Sequence, residues 1–244
     1  MVADLRSDLA EILLIFDGTS PTQHVRRMLS RLPATVHVLP KQRSLGAVLN
    51  VGLDRASGDW VSRIDADDLW VRGRLDAQLS LMHTSPQLVL AGSNALTVDD
   101  SGAVIGRLSA GSGMALKHRL LVRNQFIHPS VVMRADAVRQ AGGYPDIVRL
   151  EDYGLWLALA RIGDVTNVDA CWVRYRVHAA QASAAAVGAV AVAEIRRRRL
   201  MLAEQLRVPA PLTDGAHYLW VVTQKFTNRG HRLPTGRFKF GPVA

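Results

Sequence analysis

A strand-like run, Trp60-Val-Ser-Arg-Ile64, empties directly into three carboxylates, Asp65, Asp67 and Asp68. Acidic groups packed this closely want a cation. In an extended strand alternate side chains share a face, so Asp65 and Asp67 are expected to address one ligand while Asp68 turns toward the following loop. Carboxylate oxygens suit the hard cations Mg2+ and Mn2+, and Mg2+ commonly uses one or two protein carboxylates, with phosphate and water completing its shell. The cluster therefore points to a phosphate-bearing ligand. Taken alone, Asp-x-Asp also recurs by chance as a solvated acidic turn, so its surroundings must decide.

Those surroundings alternate between strand and helix. Residues 11–16 read as a buried strand that breaks at Asp17-Gly18-Thr19-Ser20-Pro21. Asp17 thus stands where open α/β sheets bind ligands, although an Asp before Gly is equally an ordinary turn residue. Helices are expected over 23–32, 44–53 and 74–83, with strands over 36–39 and 88–91, an alternation that predicts a parallel sheet flanked by helices. The second helix should bury Leu45, Val48, Leu49 and Leu53, and the third Leu75, Leu79 and Met82. Asp99-Asp100-Ser101-Gly102 reads as a hairpin turn and not as a metal site. Further on, Glu151-Asp152 opens a helix with Leu155, Leu159 and Ile162 as its core stripe, and Asp152 faces the buried side. Both acids complement the helix dipole, which would also keep Asp152 ionised as a general base requires. A strand over 172–177 leads into His178, a candidate contact for phosphate or metal.

Composition narrows the class. With 244 residues and 48% hydrophobic content the chain can build one large domain, or a domain with an appendage. The formal charge of +9 comes almost wholly from arginine, whose planar fork suits phosphate and carboxylate partners. The basic residues are scattered and aromatics amount to 6%, so nucleic acid is not expected as a partner. A single cysteine, Cys171, cannot form an internal disulfide, and no signal-peptide pattern precedes the core, so a cytoplasmic location is expected. From Ala184 the chain turns alanine-rich and helical, leading into Arg196-Arg-Arg-Arg199, read as a solvated helix end. Contact of this run with an anionic membrane surface, hence a peripheral place at the cytoplasmic membrane face, is the lesser reading. A last helix is expected over 218–226.

Three separated motifs agree in order and spacing: Phe16-Asp17-Gly18-Thr19-Ser20, Asp65-Ala-Asp67-Asp68 and Glu151-Asp152-Tyr-Gly-Leu-Trp156. Together with Asn50-Val-Gly-Leu53, Phe126-Ile-His-Pro-Ser130, Ala141-Gly-Gly-Tyr144 and Tyr175-Arg-Val-His178 followed by Gln181 and Ser183, the chain resembles the family 2 glycosyltransferases of the GT-A fold that build bacterial capsule, exopolysaccharide and lipopolysaccharide. The resemblance implies a Rossmann-like, mostly parallel sheet flanked by helices. It also implies a nucleotide-sugar donor, a saccharide or lipid-linked saccharide acceptor, and a divalent cation, Mn2+ or Mg2+. Under it Asp17 contacts the nucleotide base, Asp65 the ribose or sugar, and Asp67 with Asp68 the metal. Asp152 becomes the catalytic base with Glu151 in support, and His178 assists the diphosphate.

The same resemblance implies a catalytic domain over 1–183 and a helical C-terminal appendage with a basic tail over 184–244. The family's usual first strand and helix would precede Glu11, and a crossover needs about ten to twelve residues of its own. The chain is accordingly expected to be a shortened form lacking that strand and helix. A truncated or non-catalytic nucleotide-sugar-binding relative, or a sugar nucleotidyltransferase, are the alternatives.

Overall fold

The computed structural model describes residues 11–30, 32, 34–42, 44–113, 115–177 and 187–227. His178, Gln181 and Ser183, and the stretch before Glu11, lie outside those described residues.

The apolar run at the start forms β1 (Ile12–Asp17), which crosses through α1 (Gln23–Leu29) to pair in parallel with β2 (Ala34–Leu39). Next comes α2 (Leu45–Arg55), started by Ser44, whose Oγ accepts the Ala47 N–H at 3.1 Å and donates to Asp146 at 2.7 Å. This helix turns Gly46, Val48 and Leu53 inward and leaves Leu45 exposed, contrary to the expected stripe. The reason is close approach: a Cβ on Gly46 would lie 2.7 Å from the Pro145 carbonyl oxygen, so glycine lets α2 settle onto the loop before the acidic pair.

A second sheet holds β3 (Trp60–Ser62), β4 (Leu69–Trp70), β5 (Leu88–Val98), β6 (Val104–Leu108), β7 (Val132–Arg134) and β8 (Asp164–Arg176), ordered β3-β7-β5-β8-β4 with β6 also on β5. Only β5 and β8 run parallel in it; the other four pairings are antiparallel. The α/β class holds, and the sheet is mixed rather than mostly parallel. One cause is local: Asp99 Oδ1 accepts the N–H groups of Ser101 and Ala103, closing a tight turn that returns β6 antiparallel to β5. The hairpin expected at 99–102 is that turn. Strands β5 and β8 run well past the expected 88–91 and 172–177. Their continuations carry buried polar residues such as Ser93, Asn94 and Asn167, whose side chains bond the Trp172 N–H, the Ala110 N–H and the Gly111 carbonyl, and which hide a strand from any search for apolar runs.

Against this sheet pack α3 (Arg74–Thr84), α4 (Leu116–Leu120), α5 (Ala135–Gln140) and α6 (Glu151–Ile162). Helix α6 is buried nearly all round, with Leu155, Trp156, Leu157, Leu159 and Ala160 at zero exposure, so it forms the axis of the main apolar cluster. Each such large side chain contributes about 1.5–3 kcal/mol on burial, which fixes the helix that carries the acidic pair. Helix α7 (Ala189–Gln205) packs on α6, and α8 (Ala210–Thr227) on α7. The Arg196–Arg199 run lies inside α7 rather than at a solvated end. Arg199 is buried and donates to Asp214 Oδ1 at 2.9 Å, Arg196 shares that carboxylate, and Arg198 donates to Glu194 and to the Gly154 carbonyl. No helix among the described residues is long and apolar enough to cross a membrane.

Candidate active site

Strand β3 stops at Ser62, three residues before the first carboxylate, so strand alternation does not orient the cluster. A turn does. The Asp68 N–H donates to the Asp65 carbonyl at 3.2 Å, and this closure brings one ligand oxygen from each of Asp65, Asp67 and Asp68 to within 4.8 Å of one another. Asp68, expected to point toward the following loop, is instead the most buried of the three at 6% exposure. Its Oδ1 accepts the Arg176 N–H from β8 at 2.8 Å, while Oδ2 is buried with no hydrogen-bond partner. Burial, aided by repulsion from Asp65 and Asp67, pushes its pKa up to about 7. Arg176 also donates through Nε to the Asp67 carbonyl and through Nη1 to the Asp99 carbonyl, so one side chain staples the acidic turn to the β5–β6 hairpin.

Two buried arginines back the cluster. Arg63 grips Asp65 with both ends of its fork, Nη1 to Oδ2 at 2.8 Å and Nη2 to Oδ1, while its Nε has no partner. Its charge also acts on Tyr144 and Asp152, so it stands between the acidic turn and α6. Arg74, at 1% exposure, donates through Nη2 to the Arg63 carbonyl at 2.8 Å and lies over the Trp70 ring at 4.1 Å. Burial and the neighbouring Arg63 depress its pKa to about 9. Gln78, one turn on, bonds Ser62 and Ser130, so α3 presents Arg74, Gln78 and Met82 inward. The expected stripe of Leu75, Leu79 and Met82 is displaced by one step around the helix, with both leucines only half-buried.

The acidic pair sits at the first turn of α6, introduced by Arg149 and Leu150 in the left-handed region, φ 70° and 64°. Asp152 Oδ2 accepts from Asn124 Nδ2 at 2.7 Å and Oδ1 from the Tyr153 N–H at 2.6 Å. The helix dipole does not dominate here: burial raises the Asp152 pKa, and the Tyr153 N–H, Asn124 and Arg63 offset only part of that. Glu151 is more secluded, and burial with repulsion from Asp152 lifts it to about 7. The floor between the two acidic groups is aromatic. His128 Nε2 and the Tyr144 hydroxyl are 3.0 Å apart, both rings pack on Trp156, and burial holds His128 neutral with its pKa well below 6.5. Asn50 on α2 clamps the Tyr144 backbone, accepting its N–H and donating to its carbonyl, both at 2.8 Å.

Asp17 lies at the end of β1 as expected, where Lys41 Nζ at 2.5 Å and the Gln42 N–H at 2.7 Å hold its carboxyl below the usual range. The structure thus joins Asp65, Asp67, Asp68, Glu151 and Asp152 around Arg63, sets Asp17 on the first sheet, and leaves His178 undescribed. Sequence reading gave no role to Arg63, Arg74 and Asn124, nor to His128 and Tyr144, which it quoted only inside motifs of the resemblance. The available signal was Arg74 and Gln78 at i, i+4 in a helix otherwise scored by its leucines.

The donors available at 65–68 fit a hard divalent cation. They are all carboxylate oxygens, and one of them, the buried Asp68 Oδ2, has no hydrogen-bond partner.

Residues 2–137 match the family model of Glycosyl transferase family 2. The amylovoran biosynthesis glycosyltransferase AmsE of Erwinia amylovora is 33% identical over 156 residues, 63% of this chain and 59% of that protein. A UDP-Gal:alpha-D-GlcNAc-diphosphoundecaprenol beta-1,3-galactosyltransferase of Escherichia coli is 31% identical over 157 residues, 60% of this chain and 55% of the relative. The matches thus span under three fifths of these relatives' lengths. Among solved structures, S. aureus TarS 1-349 in complex with UDP-GlcNAc superposes with a TM-score of 0.65 at 16% identity, covering 90% of this chain and 63% of that one. The mannosyltransferase PcManGT from Pyrobaculum calidifontis, in complex with GDP-Man and Mn2+, gives 0.52 at 16% identity, covering 92% and 67%. The fold is GT-A.

Proposed function

This chain belongs to glycosyl transferase family 2, and from that premise we propose that it transfers a sugar from a nucleoside-diphosphate sugar to a hydroxyl of a saccharide or lipid-linked saccharide, with inversion, in the synthesis of a cell-surface polysaccharide. The observation that carries the reading is the acidic turn with its buried, unpartnered Asp68 oxygen, joined through Arg63 to Asp152.

Asp67 and Asp68 would hold Mn2+ or Mg2+, which when bound supplies positive charge to the departing diphosphate. Asp65, held by Arg63, orients the ribose or sugar, and Asp17 on the first sheet reads the nucleotide base. Asp152, gripped by Asn124 and largely but not fully buried, accepts the proton of the acceptor hydroxyl. That oxygen bonds to the anomeric carbon from the face opposite the diphosphate, whose C–O bond breaks with the electron pair leaving on the nucleotide. One displacement inverts the centre. The raised pKa suits Asp152 to the role, since a carboxylate of higher basicity takes the proton more readily. Glu151, with a pKa near 7 and little exposure, supports the field around Asp152 rather than meeting the acceptor. His178 remains a proposed contact for the diphosphate.

Calorimetric titration with UDP and GDP, with Mn2+ or with chelator, tests the reading alongside turnover of the matching sugar nucleotides. Nucleotide binding should require the cation and vanish in Asp67→Ala, an exposed position whose loss leaves the fold intact. Asp152→Asn should bind nucleotide normally and lose about 10²–10⁴-fold in rate. Cation-independent binding, or transfer by Asp152→Asn within a few-fold of the parent, would overturn the assignment.

A further inference from the structure

Arg74 is an unfavourable residue to bury. Its Nη2 is shared by the Ser62 hydroxyl at 3.2 Å, the Arg63 carbonyl at 2.8 Å and the Val131 carbonyl at 3.3 Å, while Nε and Nη1 are buried with no hydrogen-bond partner. Its remaining close contact is the face of Trp70, 4.1 Å from the guanidinium carbon. Among the described residues it has no ion-pair partner. A buried charge answered so incompletely is costly, and an apolar side chain of similar volume would fill the position at less cost. A scaffold role alone does not call for a cation here.

Its place supplies the reason. Ser62 and Arg63 lie just before the acidic turn and Trp70 just after it, so one guanidinium spans both ends of the loop that gathers Asp65, Asp67 and Asp68. Its charge acts on Asp68 within that loop. We propose that Arg74 sets the charge of the acidic turn, a fixed buried cation that weakens the empty turn's hold on a divalent cation and strengthens the loaded turn's hold on a diphosphate. The signs follow from Coulomb's law. A positive charge beside three carboxylates opposes an incoming Mn2+, yet once that ion is seated the same charge attracts the anion that follows. The turn thereby takes and releases its cation together with its anionic ligand instead of retaining the cation alone. Arg63 is already committed to Asp65, and Arg176 answers the carbonyls of Asp67, Asp99 and Asp100 nearer the surface, where solvent screens it.

The inference rests on the proposed function, in which the turn seats a divalent cation that receives a nucleoside diphosphate, and adds the residue that tunes both affinities. Arg74 acts through the turn and is a positioning residue rather than a catalytic one. A merely structural Arg74 predicts a different pattern, because loosening both ends of the loop would spread the three carboxylates and weaken cation and nucleotide alike. Gln78 provides the comparison. It lies one turn on, is buried and bonds Ser62 and Ser130 without carrying a charge.

The test has two readouts on the full chain: Mn2+ binding followed by electron paramagnetic resonance, and binding of UDP or GDP in saturating Mn2+ followed by calorimetry. In Arg74→Gln, whose amide can still donate to the Arg63 carbonyl, Mn2+ alone should bind about ten-fold tighter and the nucleotide about ten-fold weaker than in the parent. Arg74→Met should cross in the same way, and Gln78→Met, neutral before and after, should not. Both affinities falling together in the Arg74 variants, or the same crossing in Gln78→Met, would overturn the inference and leave the cation site standing. Failure of both neutral Arg74 variants to melt cooperatively would overturn it as well, since Arg74 would then be a scaffold residue. A parent that binds no more Mn2+ than Asp67→Ala, or neither nucleotide in its presence, would instead sink the proposed function, and the inference with it.

Discussion

Arg63→Met removes a buried cation that acts on both the acidic turn and α6, and its cost follows from the geometry. The Arg63 side chain is 8% exposed and makes two hydrogen bonds to Asp65, whose own side chain is 34% exposed. Deleting one member of a buried ion pair costs about 3–5 kcal/mol, because the remaining charge is stranded in low dielectric. Asp65 is partly wet, so solvent recovers some of that loss, and about 2–3 kcal/mol is expected. In a chain of this size each kcal/mol moves the melting temperature by about 2–4 °C, so Arg63→Met should melt about 5–10 °C lower. Replacing both members with apolar groups in Arg63→Met/Asp65→Leu should return much of the stability, since a buried pair and a well-packed apolar pair differ little. Differential scanning calorimetry of parent, single and double variants gives the answer. A single variant within about 2 °C of the parent would refute the reasoning, because a charge flanked by Asp65, Asp152 and Tyr144 would then be contributing nothing.

Two further perturbations follow from the same region. Glu151 rises from 4.5 to about 7 on folding, so the folded state holds a proton the unfolded state releases, and stability should fall as pH climbs through that window and level off above it. In chelator, the loss between pH 5 and 7.5 seen by urea unfolding should shrink by up to about 3 kcal/mol in Glu151→Gln, the comparison cancelling Asp68 and Asp152; an unchanged slope would place the Glu151 carboxyl in water. Gly143→Ala should cost about 2–4 kcal/mol: φ is +71°, and the new Cβ would lie 2.5 Å from the Asn50 oxygen that accepts the Tyr144 N–H. A variant as stable as the parent by urea unfolding would mean that the Asn50 clamp is not needed.

What the sequence disclosed and what it hid divide by range. Strand and helix order, the 99–102 hairpin, the acidic turn and the helix opened by Glu151 were legible because each is written in neighbouring residues. Leu45 was placed inward because a helical wheel scores hydrophobicity and cannot see that the Pro145 carbonyl leaves room only for glycine at 46. Similarly the leucines of α3 outscored Arg74 and Gln78, although the two polar side chains take the inward face. Their partners, Arg63, Ser62, Val131 and Ser130, lie 11, 12, 57 and 52 residues away along the chain.

Long range also explains why the acidic motif could be found and its orientation missed. The turn that gathers the carboxylates is local, but the group that fixes Asp68 is the backbone N–H of Arg176, 108 residues on, delivered because β8 pairs with β4 directly beyond the turn. A buried carboxylate with one oxygen committed and the other bare is an unfavourable arrangement for an isolated domain. Surrounding structure must hold it there: Arg176 spans Asp67, Asp68 and the β5–β6 hairpin, while Arg63 occupies Asp65. With Asp65 paired to Arg63, the carboxylate oxygen of the turn that is buried without a hydrogen-bond partner is Asp68 Oδ2. Three aspartates in a row of letters thus become, in three dimensions, one group held by Arg63, one on the exposed side of the turn, and one buried with an oxygen left bare.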